Sequence, residues 1–161
     1  MAAPDIVMYE EEFNQIKTVI SKLRIDANAK VVFLVDKNGQ QIAAQGEIEN
    51  LDTTSLASLT AGNVAATDGL ARLIGEKEFS ILFHEGERDN IHISIVAQRV
   101  ILVVIFDERS SLGLVRLRVK KAGAQLARVF EEIQKKSDQG RGAGTPFAEI
   151  TDEDIDNLFS V

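Results

Sequence analysis

The sequence predicts an α/β fold: a five-stranded, mainly antiparallel sheet with helices on its faces, in the order helix, two strands, helix, three strands, helix. Three observations carry this. Amphipathic stretches of 3.6-residue period stand at the start, middle and end of the main body, and apolar runs of strand length lie between them. The connections between successive strands are only a few residues long, which favours antiparallel neighbours. A chain of 161 residues suits one domain with a tail better than two domains.

The first helix is expected over 8–23, where Phe13, Ile16, Ile20 and Leu23 form one stripe. Residues 31–35 are an unbroken apolar run. Asn38-Gly39 follows, and this pair predicts a type I′ hairpin turn, which needs positive φ at both central positions. The return strand is 40–45. Asp52-Thr53-Thr54 offers a cap for a second helix running to about Ile74, with Gly75 as its stop. On that helix Leu56, Leu59, Leu70 and Ile74 gather on one side. The opposite side, Ser58, Ala61, Gly62, Ala65, Gly69 and Arg72, is nearly stripped of bulk. Two glycines inside a helix each cost about 0.5–1 kcal/mol relative to Ala, so close approach of another element is expected there. That element is either part of the domain or homodimer, or a separate protein.

Residues 79–83 read as the third strand. Ile91, Ile93 and Ile95 alternate with His92, Ser94 and Val96, a fourth strand with one wetter face. Residues 100–106 are apolar throughout, so both faces of that strand should be covered. The last long helix is expected over 112–136, with Val115, Val119, Ala122, Leu126, Val129, Phe130 and Ile133 as its stripe. Its start is ambiguous because 115–119 also alternates like a strand. Leu114 and Leu117 fall off the stripe and are either exposed or turned to a subunit partner. The domain is thus expected over 1–136, a flexible Gly-rich linker over 137–146, and an acidic amphipathic helix over 147–161. In that last segment Thr151 is the cap, Ile150 and Ile155 stand at the staple positions, and Ile155, Leu158 and Phe159 make an apolar edge suited to a groove.

Composition excludes several function classes. No Cys is present, so disulfides, thiolate zinc sites and cysteine nucleophiles are ruled out. The formal net charge is -7, and Glu149, Asp152, Glu153, Asp154 and Asp156 supply five of those negatives, which argues against nucleic acid as the partner. The body has its own basic stripe in Arg116, Arg118, Lys120, Lys121, Arg128, Lys135 and Lys136, a solvated face or a docking surface for an acidic partner or the tail. Residues 1–5 hold no basic residue and no apolar stretch is long enough to span a bilayer, so a cytoplasmic protein without membrane insertion is expected. His84 and His92 lack any ligand pattern, the Gly140–Gly144 run lacks the Lys-Ser/Thr of a phosphate loop, and no nucleophile–base pair is visible. No catalytic residue, metal site or cofactor is expected.

Residue-level similarity sharpens this reading. The segments VMYEEEF (7–13), DANAKVVFLVDKNG (26–39), LDTTSLASLTAGNVAA (51–66), SLGLVRLR (111–118), PFAEI (146–150) and DIDNLF (154–159) resemble the Roadblock/LC7 family, and within it the polarity proteins of gliding bacteria. The resemblance covers almost the whole chain and is weaker in the linker and around 85–95. It implies a profilin-like sandwich that forms a homodimer and binds a Ras-like small GTPase of the MglA type in its GTP state. It further implies that the dimer accelerates hydrolysis by reshaping the partner's switch regions, without a catalytic group of its own. In the family, small residues of the second helix touch the GTPase; here these are Ala65 and Gly69, with Ala61 and Arg72 on the same side. The tail, through Ile155, Leu158 and Phe159, is the second docking element, and exchange promotion through it is an open alternative. Enrichment at a cell pole is also implied. The competing reading is a scaffold that binds without altering hydrolysis.

Overall fold

The apolar runs expected as strands lie side by side at the middle of one sheet. The computed structural model describes residues 8–142, with side chains to residue 139. In chain order the elements are α1 (Glu10–Asp26), β1 (Val31–Asp36), β2 (Gln41–Gly46), α2 (Thr53–Leu73), β3 (Ile81–Glu85), β4 (Asn90–Val96), β5 (Val100–Phe106) and α3 (Leu112–Gly142). The five strands run β2-β1-β5-β4-β3, every neighbouring pair antiparallel. α1 and α3 cover one face of the sheet and α2 the other.

β5 is central, as its composition demands. Val100, Leu102, Val104 and Phe106 face α1 and α3, where they join Ile16, Ile20, Leu23, Val115, Val119 and Leu126. Ile101, Val103 and Ile105 face α2 with Phe33, Val35 and Ile93. α1 and α3 lie antiparallel: Lys136 near the end of α3 pairs with Glu12 near the start of α1, and Arg118 and Lys121 share a groove with Lys22 and Asp26 near its end. The Glu12 carboxylate is buried, and its hydrogen bond to Lys136 holds its pKa below the ordinary range against the opposing effect of burial.

Four local expectations are corrected. The β1–β2 connection is not a type I′ turn: Asn38 stays at negative φ and only Gly39 (φ 91°) is left-handed. Asp36 decides this, because its Oδ1 accepts from the N–H of Asn38 and of Gln40, while its C=O accepts from Gly39. The result is a longer loop with a register shift at Leu34/Val35. It is Ala97 (φ 53°) and Gln98 (φ 65°), between β4 and β5, that adopt the doubly positive geometry. β3 starts two residues later than expected, at Ile81, where pairing with Ser94 begins. The face of β4 read as wetter is the drier one: His92, Ser94 and Val96 are buried beneath α3, while Ile91 and Ile95 are only half-buried. Finally, α3 starts at Leu112, where the Ser111 hydroxyl accepts from the Leu114 N–H, so the 115–119 alternation is helical. It runs through Gly142, six residues into the segment expected to be linker. Each added residue gains an i to i−4 hydrogen bond, and Gln134 donates to Asp138 one turn on.

Candidate functional site

α2 holds most of the residues singled out by sequence. Its N-cap is Asp52, which accepts from the Ser55 N–H at 3.0 Å and from the Ser55 hydroxyl at 2.6 Å. These bonds hold the Asp52 carboxyl below its usual pKa range. Gly75, at φ 82°, ends the helix.

The stripe that meets the sheet is small: Ala57, Thr60, Ala61, Val64, Thr67 and Ala71 are the buried residues of α2. Of the bulky residues only Leu56 packs, half-buried, against the sheet core; the others point away from it. Leu59, Leu70, Leu73 and Ile74 are 72%, 59%, 84% and 68% exposed. Of the predicted partner surface, Ala61 therefore lies elsewhere than expected. It is buried in the core shared with the sheet, since the β1–β2 loop packs close: a Cβ on Gly39 would sit 3.4 Å from the Ser58 Cα and 3.7 Å from the Ala61 Cβ. Close approach within the domain thus accounts for Ser58 and Ala61.

It does not account for the rest of that side. Ala65 is exposed, and a Cβ built on Gly62 or Gly69 meets nothing within 4 Å. Arg72 is exposed, its Nε only 3.4 Å from the Asp68 carbonyl one turn back. Ala65, Gly69 and Arg72 are thus brought together on an open flank of α2. Ile155, Leu158 and Phe159 lie outside the described residues.

The outward leucine face continues toward β3, an edge strand whose Ile81 is half exposed. α2 is tied to that strand by Asn63, whose amide lies 3.0 Å from the His84 Nε2. Sequence reasoning gathered the leucines on one side without assigning them a role. The signal was the bulk of the opposing strands, which leaves room only for small residues beneath the helix.

The histidines sit on paired strands but on opposite faces. His84 faces α2, whereas His92, opposite Phe83, faces α3 and is fully buried, with neither ring nitrogen hydrogen-bonded among the described residues. Burial, reinforced by the charge of Arg116, holds the His92 pKa below its usual value, so the ring is neutral at physiological pH. Among the described residues no three His, Cys, Asp or Glu side chains converge as a metal site would need, and no helix is long and apolar enough to cross a membrane.

Comparison with known proteins agrees with this architecture. Residues 15–106 match the Roadblock/LC7 domain model. Myxococcus xanthus MglB is 64% identical over 79% of this chain and 96% of its own, with a TM-score of 0.76. The gliding protein MglB of Thermus thermophilus is 33% identical over 81% of this chain and 99% of its own, again at 0.76. Acanthamoeba castellanii profilin IA, at 11% identity, 70% and 96% coverage and a TM-score of 0.53, shares the fold alone. Among curated proteins no match was found.

Proposed function

Because the chain belongs to the Roadblock/LC7 domain family, we propose that it is a non-enzymatic activator: a homodimer that binds a Ras-like small GTPase of the MglA type in its GTP-bound state and accelerates that partner's hydrolysis. The observation that carries this reading is the uncovered, low-bulk flank of α2 at Ala65 and Gly69, on a chain strongly similar to MglB of a gliding bacterium. A helix flank without side-chain bulk lets a partner loop approach its backbone, and Arg72 stands at the rim of that flank. The chain acts by shape. It holds the switch regions so that the partner's own groups and Mg²⁺ reach the γ-phosphate, the positioning and electrostatic work on which phosphoryl transfer depends.

The outward leucine face supports the homodimer. Three large apolar side chains on one helix and a fourth at its C-cap, beside β3, an edge strand of the sheet among the described residues, form a surface that calls for a protein cover. A second copy supplies a matching face by two-fold symmetry. Residues 143–146 then act as the linker and 147–161 as a second docking element through Ile155, Leu158 and Phe159. The setting is cell polarity and gliding motility, in the cytoplasm and enriched at a pole. The test is phosphate release by a purified GTPase of this type, with and without the chain. Acceleration is expected; binding without acceleration would leave a scaffold, and no binding would remove the reading.

A further inference from the structure

The first half of α3 carries a charge pattern that GTPase activation leaves unused. Residues 112–128 contain Arg116, Arg118, Lys120, Lys121 and Arg128 and no acidic residue. None stands in the first turn, where the positive end of the helix dipole favours carboxylates and repels cations. Among the described residues, the ion pairs on α3 are confined to Lys135 and Lys136 in its second half. Within the cationic half stands Leu117, 63% exposed, with half-buried Leu114 one turn before it and Lys120 and Lys121 one turn after. Across the α1–α3 groove, Lys22 joins Arg118 and Lys121 beside a single acid, Asp26, and the Arg118 Nε is buried without an acceptor among the described residues.

An apolar knob inside a ring of cations is the complement of an acidic helix with apolar anchors. The chain contains such a segment in 147–161, with five carboxylates, no Lys or Arg, and Ile155, Leu158 and Phe159 at i, i+3 and i+4. We propose that the basic face of α3 around Leu117 binds the acidic C-terminal segment of a second copy of this chain. Reach decides between the same copy and another. From Leu117, α3 runs 25 residues away from the patch to Gly142, about 37 Å at 1.5 Å per residue. Twelve residues, 143–154, lead to Ile155, and a chain of that length covers at most about 40 Å when fully extended. That upper limit scarcely exceeds the distance back along α3 to Leu117. The patch and the segment of one copy are therefore mismatched in reach, and a second copy removes the mismatch.

The test needs no GTPase, so its outcome is independent of the activator reading. A fluorescent peptide of residues 147–161 is titrated into the full-length chain and followed by anisotropy, beside the variants Leu117→Glu and Lys120→Glu/Lys121→Glu. These positions are exposed, and circular dichroism with a melting curve verifies the fold. Saturable binding is expected, weakened about tenfold or more by either variant and falling with added salt. A peptide carrying Asp152→Lys and Asp154→Lys is expected to recover binding to the Lys120→Glu/Lys121→Glu protein. Absence of binding, or binding indifferent to both variants and to the charge swap, overturns the proposal. So does equal binding by a peptide with Ile155, Leu158 and Phe159 replaced by Ser, since simple charge attraction then suffices.

Discussion

At Gly69 helix stability and the proposed partner surface pull in opposite directions, so Gly69→Arg tests both. The residue lies inside α2 with a helical, not left-handed, backbone, and a Cβ there meets nothing within 4 Å. Arg is a better helix former than Gly by about 0.8 kcal/mol. In a domain of this size that gain raises Tm by roughly 2–5 °C. At the interface the same side chain fills the space a partner backbone needs. Overfilling a packed contact costs about 1–3 kcal/mol, or roughly 5- to 150-fold in affinity. The assay pairs a thermal melt with phosphate release across a titration of the GTP-loaded partner, and sedimentation checks that the dimer persists. The expected outcome is a more stable protein that no longer stimulates at concentrations where the wild type saturates. Ala65→Arg, starting from the best helix former, is expected to lose stimulation with little change in Tm. Full stimulation by both variants would refute the placement of the partner on this flank; a lowered Tm in Gly69→Arg would refute the claim that the flank is open within the domain.

Three other substitutions test separate steps. Leu59→Asp/Leu70→Asp removes two outward leucines from each copy, each worth about 1.5–3 kcal/mol if buried, so the dimer is expected to weaken by at least two to four orders of magnitude; an unchanged mass by light scattering at micromolar concentration would sink the assigned face. His92 is held neutral by burial and by Arg116. The unfolded chain therefore binds more protons below about pH 6.5, and stability falls as pH drops through that value toward the lower folded pKa; His92→Met is expected to flatten the change in urea midpoint between pH 7.5 and 5, and a wild-type slope would assign the effect to other groups. Gly46 sits at φ 117°, and a Cβ there would lie 2.2 Å from the Lys30 carbonyl oxygen. Gly46→Ala is expected to destabilise by more than the 1–3 kcal/mol of backbone strain alone, roughly halving the urea midpoint of a marginally stable domain; near-native stability would show that β2 can shift freely.

How much of this was legible in the sequence depended on whether a signal was local. The helical stripes, the apolar strand 100–106 and the Asp52 and Gly75 boundaries of α2 were legible because each rests on neighbours within a turn or a strand. The Asn38-Gly39 turn was misread although its signal is also local. The deciding group was the side chain of Asp36, whose carboxylate competes for the same backbone N–H groups. The polarity of β4 was beyond reach for another reason. Period-2 alternation tells which residues share a face, but which face α3 covers is a tertiary fact, and here it covers His92 and Ser94. At the candidate site, Ala65 and Arg72 are exposed and Gly69 half-exposed, as a wheel that grouped them on one side of α2 expects of an uncovered flank. Ala61 was grouped with them because a helical wheel has no knowledge of the loop at Gly39.

The orientation of α2 is the point from which the interaction surfaces follow. An amphipathic helix ordinarily turns its largest apolar residues to the sheet. Here Phe33, Ile93, Ile101 and Val103 already fill that layer, so α2 meets it mainly through small residues, Ala57, Thr60, Ala61, Val64, Thr67 and Ala71, with half-buried Leu56 beside them. Leu59, Leu70 and Leu73 are left outside with no cover among the described residues. The helix is therefore suited to lying between two layers, one supplied by its own sheet and one by another molecule. Gly69 and Leu70 are sequence neighbours yet belong to different flanks, the first open and without bulk, the second apolar and prominent. A small rotation of α2 on its sheet would move both flanks together. On the proposed reading, dimer contacts made through Leu70 would fix the angle at which Ala65 and Gly69 meet a GTPase, and a variant that loosens the dimer should lose stimulation even with the Gly69 flank intact.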